Sequence, residues 1–147
     1  MNNNINCKLI NIKNYLCKPI IRSITKRRII ICDDEKDLLY LYAEVLSLKY
    51  NIIVTTTGKE CIDKYKESRK ESPVDLILVD YRLNDMDGDQ VACEINKTNG
   101  VKIMLISAYD LEKEKIRELI QRKCIHGFLS KTIGLKKLIN EVSLLLS

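Results

Sequence analysis

Apolar positions recur along the chain with two alternating periods. Short apolar runs, rich in β-branched residues and with little alternation, are typical of strands covered on both faces. They occur at residues 29–32, 52–54, 74–79, 101–106 and 125–129. Between and after these runs, longer segments space their apolar residues by three and four, which predicts five helices. The positions that mark these helices are Leu38, Leu41, Tyr42, Val45, Leu46 and Leu48; Cys61, Ile62 and Tyr65; Val91, Cys93 and Ile95; Leu111, Ile116, Leu119 and Ile120; and Leu135, Leu138, Ile139, Val142 and Leu145.

Strands that alternate with helices in this way predict parallel pairing through right-handed crossovers. We therefore expect an α/β fold, a doubly wound five-stranded parallel sheet with helices on both faces. The 147 residues, 46% of them hydrophobic, suffice for one domain with its own core. The last helical pattern runs to Ser147, so we expect no second domain in these residues.

The positive charge of the chain is concentrated at its start. The net charge is +5, yet residues 1–28 contain seven Lys or Arg and no acidic residue. Residues 29–147 carry 18 basic and 20 acidic residues, a net charge of −2. The predicted domain is thus mildly acidic, and we expect no binding to nucleic acid.

Residues 1–26 form a basic N-terminal extension with some helical periodicity. Its apolar positions fall on one helical face: Ile5, Leu9, Ile12 and Leu16. Such a helix, ending before Pro19, could contact an anionic membrane or a partner. Alternatively the segment is a disordered or partly helical extension without a role, or reflects an upstream start codon. We favour an extension without a role, because short helices are marginal alone.

The cysteine pattern argues against disulfide and zinc frameworks. The six cysteines include no C-x-x-C pair, and the chain has one histidine, His126, which we expect to pack on the fifth strand.

The N-terminus lacks the features of a signal peptide, and no apolar run approaches the length of a membrane span. We therefore predict a protein of the reducing cytoplasm whose cysteines are mostly small apolar core residues.

Polar residues follow the predicted strands at the edge where a doubly wound sheet binds ligands. They are Asp33, Asp34 and Glu35 after the first strand, Asp80 after the third, Ser107 after the fourth and Lys131 after the fifth. Each has a simple structural explanation, such as helix capping by an aspartate or by Ser107, a turn at Asp80, or a solvated Lys131. Their convergence favours a site, because adjacent carboxylates require a cation or shifted pKa values.

Mg²⁺ is the cation that best fits such carboxylates where phosphate is bound. A carboxylate beside Mg²⁺ can act as a nucleophile toward phosphorus. Positive charge from the ion and a lysine, together with a hydroxyl donor, would neutralise the phosphoryl oxygens. The sequence thus predicts chemistry that forms an aspartyl phosphate.

Four segments of this chain resemble the receiver domain of two-component response regulators. They are Ile29-Ile30-Ile31-Cys32-Asp33-Asp34-Glu35, Leu78-Val79-Asp80-Tyr81-Arg82-Leu83-Asn84-Asp85-Met86-Asp87-Gly88, Met104-Leu105-Ile106-Ser107-Ala108 and Gly127-Phe128-Leu129-Ser130-Lys131. The resemblance covers residues 27–147 and is closest to stand-alone, chemotaxis-regulator-like receivers. It implies a flavodoxin-like fold with strand order 2-1-3-4-5.

The resemblance also implies roles for the site residues. Asp80 would accept a phosphoryl group from the phosphohistidine of a sensor histidine kinase or a phosphotransfer protein. Lys131 and Ser107 would bind that group, and Ser107 with Phe128 would form the conformational switch. The Mg²⁺ ligands would be Asp33, Asp34, Asp80 and the main-chain carbonyl of Arg82.

The resemblance implies a single-domain response regulator that signals to a downstream target protein. It would not be an enzyme beyond self-catalysed phosphotransfer and autodephosphorylation, and it could form a homodimer through the fourth helix, fifth strand and fifth helix. One alternative is a pseudo-receiver, a protein-binding module that is not phosphorylated. Thr132 leaves room for it, because the family usually has proline after the lysine, often with a cis bond. Another is an aspartyl-phosphate hydrolase, but Arg82 stands where such enzymes commonly have a second aspartate.

Overall fold

A parallel sheet of β-branched strands forms the centre of the molecule. The computed structural model describes residues 26–98 and 100–147. The strands are β1 (Arg28–Cys32), β2 (Asn51–Thr55), β3 (Leu76–Asp80), β4 (Lys102–Ser107) and β5 (Gly127–Ser130). The helices are α1 (Lys36–Ser47), α2 (Gly58–Glu71), α3 (Gly88–Asn96), α4 (Lys113–Gln121) and α5 (Leu135–Leu146).

The strand order is β2-β1-β3-β4-β5, and every pairing is parallel. This confirms the predicted doubly wound, flavodoxin-like α/β fold. The order reverses direction between β1 and β3, so the carboxyl ends of these two strands flank the crevice where such sheets bind ligands. Asp33 and Asp80 are located at that crevice.

Two apolar layers cover the sheet, one on each face. The layer that contains Ile77 and Val79 packs against α2, α3 and α4, and the layer that contains Leu76 and Leu78 packs against α1 and α5. All five residues of β3 are buried, because the strand is covered on both sides. Burial of each Leu, Ile or Val contributes about 1.5–3 kcal/mol. The central strand therefore gives the site a rigid base.

Some apolar positions that follow the helical pattern do not reach the core. Leu41 is exposed because it lies on the side of α1 opposite the buried Leu39, and Leu48, 83% exposed, follows the last residue of the helix. Leu111 precedes α4, and Ile120 is exposed. The sets of apolar positions predicted for these helices are thus wider than the helix faces that contact the sheet.

The cysteine prediction was wrong for one pair. Cys93 on α3 and Cys124 after α4 form a disulfide, although no cysteine spacing in the sequence indicates it. The two helices lie on the same face of the sheet, which brings together residues 31 positions apart in sequence. Cys32 and Cys61 are free and buried, as a small apolar role predicts.

Within the described residues, no helix is both long enough and apolar enough to cross a bilayer. The amphipathic helix proposed for the N-terminal extension falls in residues 1–25, which lie outside the described part of the chain. The domain boundary predicted near residue 27 therefore stays a prediction.

Candidate functional site

Asp80 is the last residue of the central strand. Its backbone pairs with Ile106 of β4, and the next amide, of Tyr81, donates a hydrogen bond of 2.7 Å to the Ile106 carbonyl. The strand ladder therefore fixes the backbone on both sides of the carboxylate. Only 7% of Asp80 is exposed, so the group sits at the bottom of the crevice.

Asp33 follows β1 and lies beside this carboxylate. Its amide donates to the Thr55 carbonyl at 3.1 Å, and its Oδ1 accepts the Glu35 amide at 2.9 Å. The second bond fixes the turn into α1 but reaches no amide within the helix, so the capping interpretation of Asp33 is wrong. The N-cap itself is Glu35, whose side chain makes no capping bond. Oδ2 of Asp33 takes no part in this turn and faces the crevice, where it contacts Lys131.

Lys131 joins the two carboxylates. Its Nζ lies 2.7 Å from Oδ2 of Asp33 and 3.2 Å from Oδ1 of Asp80, with Glu35 further away at 3.9 Å. The Lys131 amide donates to the Ser107 carbonyl at 2.7 Å, which continues the β4–β5 ladder into the loop. No peptide bond in the described residues is cis, so the bond to Thr132 is trans. The missing proline thus does not move the ammonium away from the site.

The electrostatics of the site favour additional positive charge. Burial and the negative charge of Asp33 raise the pKa of Asp80 to about 6, although Lys131 acts in the opposite direction. Burial alone would lower the pKa of Lys131, but the hydrogen bonds and charges of Asp33 and Asp80 raise it. One ammonium therefore does not fully compensate the carboxylates around it.

Three carboxylates at the crevice fit a divalent cation. Asp33, Asp34 and Asp80 each offer an oxygen, and these oxygens all lie within 4.8 Å of one another. Asp34 is half-buried, whereas Asp33 and Asp80 are buried. Hard oxygen donors of this kind suit Mg²⁺, which usually keeps several waters and takes few protein ligands. The contribution of the Arg82 carbonyl stays a prediction.

Ser107 and Phe128 lie on neighbouring strands beside the crevice. Ser107 is completely buried, and its Oγ accepts the Tyr109 amide at 2.9 Å. It does not cap α4, which begins at Lys113. Phe128 is half-buried on β5, where it pairs with Leu105 of β4. Its side chain packs on the face of the sheet that α2, α3 and α4 cover. Both positions suit the predicted switch, and the switch itself stays a prediction.

Arg82 and Tyr109 are in contact across the mouth of the site. The Arg82 guanidinium lies 5.0 Å from the centre of the Tyr109 ring, within the range of a cation–π interaction. Arg82 follows Asp80 by two residues, and Tyr109 follows Ser107 by two. The two loops that leave β3 and β4 are thereby joined by their side chains, a contact that sequence spacing does not reveal.

The loop after β3 returns tightly onto Asp80. The Gly88 amide donates to the Tyr81 carbonyl at 2.6 Å, and a Cβ at position 88 would lie 2.1 Å from the Asp80 carbonyl oxygen. Only glycine allows this approach, because the atom it would meet belongs to the backbone. Gly88 therefore holds α3 against the strand end that carries Asp80.

Asp85, in the same loop, has a role that sequence reasoning missed. Its two carboxylate oxygens accept the amides of Gly58 and Lys59 at 2.8 and 2.9 Å, at the start of α2. These bonds satisfy two free N–H groups of the helix N-terminus, and they keep the pKa of Asp85 low against the opposing effect of burial. A capping residue 27 positions away leaves no local sequence signal.

Comparisons with known proteins agree with this geometry. The chain is similar to the signal receiver domain of a protein described as a Luxo repressor from Vibrio parahaemolyticus (27% identity, TM-score 0.74), covering 82% of this chain and 90% of that one. It is similar to the response regulator TrrA from Thermotoga maritima, solved with Mg²⁺-BeF (26%, 0.67, coverage 81% and 98%). A CheY-like receiver domain from Methanospirillum hungatei shares the fold (21%, 0.71, coverage 81% and 92%). The family model of the response regulator receiver domain matches residues 29–143, and the chain therefore belongs to that family.

Proposed function

We propose that this protein is a single-domain response regulator that accepts a phosphoryl group on Asp80. The donor would be the phosphohistidine of a sensor histidine kinase or of a phosphotransfer protein. The observation that carries the proposal is the position of the Lys131 ammonium, 3.2 Å from Asp80 Oδ1 within the cluster of three aspartates. A similar protein, TrrA, was solved with Mg²⁺ and a beryllofluoride.

In the transfer, a carboxylate oxygen of Asp80 attacks the phosphorus atom and forms an O–P bond. The P–N bond of the phosphohistidine breaks, and its electron pair stays on the imidazole nitrogen, which takes up a proton. Lys131 would neutralise a phosphoryl oxygen, and Asp33 would orient Lys131 through its contact of 2.7 Å. Asp33, Asp34, Asp80 and the Arg82 carbonyl would hold Mg²⁺. When bound, this ion supplies positive charge to the phosphoryl oxygens.

The phosphoryl group would change the environment of Ser107. Its hydroxyl, which now accepts the Tyr109 amide, would turn to donate a hydrogen bond to a phosphoryl oxygen. Phe128 would then move inward on β5 and alter the face formed by α4, β5 and α5. A downstream target protein, or a second copy of the chain, would recognise that face.

The protein would act in the cytoplasm as a phosphoacceptor and not as an enzyme, with at most self-catalysed phosphotransfer and autodephosphorylation. The fit of the acidic cluster to Mg²⁺ and the membership in the receiver family support this proposal. Its activity would therefore be stoichiometric, one phosphoryl group per chain.

The test is incubation with Mg²⁺ and acetyl phosphate or phosphoramidate, followed by intact-mass measurement. We expect one added phosphoryl group, lost in Asp80→Asn and retained in Asp110→Asn, which changes an exposed aspartate. Omission of Mg²⁺ should prevent labelling of the wild type.

Two outcomes contradict the proposal. An unlabelled wild-type protein at every Mg²⁺ concentration would identify a pseudo-receiver, a binding module that keeps the fold. Rapid multiple turnover of unrelated phosphate esters would instead identify a hydrolase.

A further inference from the structure

Helix α4 is the helix least firmly attached to the sheet. It buries a single apolar residue, Leu119, with Ile116 partly buried, whereas each of the other four helices buries two or three apolar residues. Apolar burial is the main force that holds a helix on a sheet. Other contacts must therefore contribute more to the position of α4 than they do for its neighbours.

Two links attach α4 to α3. Near the helix starts, Lys115 Nζ lies 2.9 Å from Oδ2 of Asp89. Past the helix end, the Cys93–Cys124 disulfide joins α3 covalently to the turn before β5. The ion pair is partly exposed and contributes little, in the range of about 0–1 kcal/mol. The disulfide is thus the stronger of the two links.

The turn that carries Cys124 has an unfavourable backbone conformation. Lys123 has a φ of 58°, the one positive value at a non-glycine residue in the part of the chain described here. The amides of Lys123 and Cys124 donate to the carbonyls of Ile120 and Leu119, each at 2.9 Å, and so close the last turn of α4. A residue with a Cβ in this left-handed conformation destabilises the turn, and the surrounding contacts must offset that cost in free energy.

We propose that Cys93 and Cys124 form a reversible redox site that controls how freely α4 moves. The reductant would be a protein of the Cys-x-x-Cys dithiol class. In a reducing compartment, a disulfide is usually transient and redox-sensing. The consequence for signalling rests on the proposed function, because α4 lies between Ser107 and Phe128 in the chain.

The accessibility of the two sulfurs defines the reaction. Cys93 is half-buried, whereas only 4% of Cys124 is exposed, so the incoming thiolate would attack Cys93 Sγ. The S–S bond breaks, and its electron pair leaves on Cys124 Sγ, which takes up a proton. The second thiol of the reductant then displaces Cys93 from the mixed disulfide. The protein gains two thiols, and the reductant becomes a disulfide.

The other described cysteines provide an internal comparison. Cys32 and Cys61 are both free and fully buried. A hydrogen bond with Cys32, together with burial, raises the pKa of the Cys61 thiol. A protonated, inaccessible thiol reacts slowly. This pair should therefore not respond to a reductant or an alkylating reagent unless the protein unfolds.

The first experiment is a redox titration of the full chain in mixtures of reduced and oxidised dithiothreitol. Each sample is unfolded in urea that contains excess iodoacetamide, so that burial does not limit labelling, and the blocked thiols are located by peptide mass mapping. We expect Cys93 and Cys124 to gain label together at a single midpoint and to lose it on reoxidation, while Cys32 and Cys61 are labelled at every ratio. Labelling of Cys93 without Cys124, or of both in protein kept under oxidised dithiothreitol, would overturn the proposal.

The second experiment measures amide hydrogen exchange over residues 113–125. Reduction should accelerate it by at least about threefold, since the crosslink restrains local opening. Cys93→Ser and Cys124→Ser should each reproduce the reduced state without a reductant. Cys61→Ala, which removes a buried free thiol, should keep the redox difference. Equal exchange in the two redox states of the wild type would overturn the proposal.

A third measurement separates this inference from the proposed function. Oxidised and reduced proteins are treated with acetyl phosphate and Mg²⁺, and exchange over residues 113–125 is compared in each. Phosphorylation should increase exchange further only in the reduced protein. An identical increase in both states would overturn the control of α4 by the disulfide. Absence of labelling at Asp80 would overturn the proposed function alone, since the first two experiments do not require it.

Discussion

Lys131 and Asp33, nearly one hundred residues apart in sequence, form a buried ion pair with an Nζ–Oδ2 distance of 2.7 Å. The same ammonium lies 3.2 Å from Oδ1 of Asp80. A single lysine thus bridges the ends of β1 and β3, the two strands that flank the crevice. Its positive charge offsets repulsion among carboxylates that would otherwise oppose folding.

Removal of this ammonium should destabilise the protein. Lys131→Met leaves two buried carboxylates without a cation, and we expect the free energy of unfolding at neutral pH in a chelator to fall by about 3 kcal/mol. Urea unfolding followed by circular dichroism measures the change. Lys137→Met, which alters an exposed lysine of α5, should change the value by less than about 0.5 kcal/mol. A loss of the same small size in Lys131→Met would contradict the stabilising role.

Mg²⁺ should stabilise the folded protein, and a chelator should reverse the effect. A ligand that binds only the folded state adds about 2.7 kcal/mol at one hundred times its dissociation constant. Asp34→Asn should raise the dissociation constant for Mg²⁺ by about tenfold or more, because it removes one of three candidate ligands. Thermal unfolding across a Mg²⁺ series measures both effects. Glu44→Gln, on the exposed side of α1, should respond to Mg²⁺ as the wild type does.

Gly88→Ala should destabilise the fold by about 2 kcal/mol or more, because the new Cβ would collide with the Asp80 carbonyl. The backbone on which Asp80 stands would have to shift. Gly134→Ala is the matched control, since a Cβ at that position meets nothing within 4 Å. Equal stability of the two variants in urea unfolding would show that the loop relaxes without strain.

Stability should decrease as the pH falls through the titration of His126. Its Nδ1 accepts the Ile103 amide at 3.1 Å, which requires the neutral ring. Although His126 is exposed, desolvation of the part of its ring that faces the protein, and then the charge of Lys102, lower the pKa of His126. Below a pH of about 6.5 the unfolded chain therefore binds a proton at His126 more readily than the folded chain does. The stabilising contribution of neutral His126 is present above this pH and is lost as the pH falls below it.

The comparison of wild type with His126→Asn isolates this contribution from the carboxylates that titrate in the same range. Asn can accept the Ile103 amide but does not titrate. Urea unfolding between about pH 5 and 7.5 should show a smaller loss of stability in the variant. Parallel profiles for the two proteins would contradict the prediction.

The sequence predicts the fold and the location of the site well, because both follow from local patterns. Apolar runs that stop at a polar residue identify Asp33, Asp80 and Ser107 as strand ends, and parallel strands necessarily present those ends at one edge. The family resemblance then supplies the strand order. The same pattern predicts Lys131 at this edge, but its contact with Asp33 depends on how far a long side chain reaches.

The remaining features are contacts between segments that are distant in sequence. The capping of α2 by Asp85 and the pairing of Cys93 with Cys124 follow from the way loops and helices pack on one face of the sheet. Helical periodicity does not predict that Leu48 is exposed, since a pattern of apolar residues does not reveal which of them contact the sheet. Such features require three-dimensional coordinates.

The hydrogen bond from the Lys131 amide to the Ser107 carbonyl has a consequence for how the crevice receives a ligand. It gives the residues that carry the ammonium and the hydroxyl a common backbone anchor at the end of the β4–β5 ladder. The separation of these two main-chain positions is therefore set before any anion arrives. Only the two side chains, and not the sheet, would have to adjust around a small oxyanion held beside Asp80.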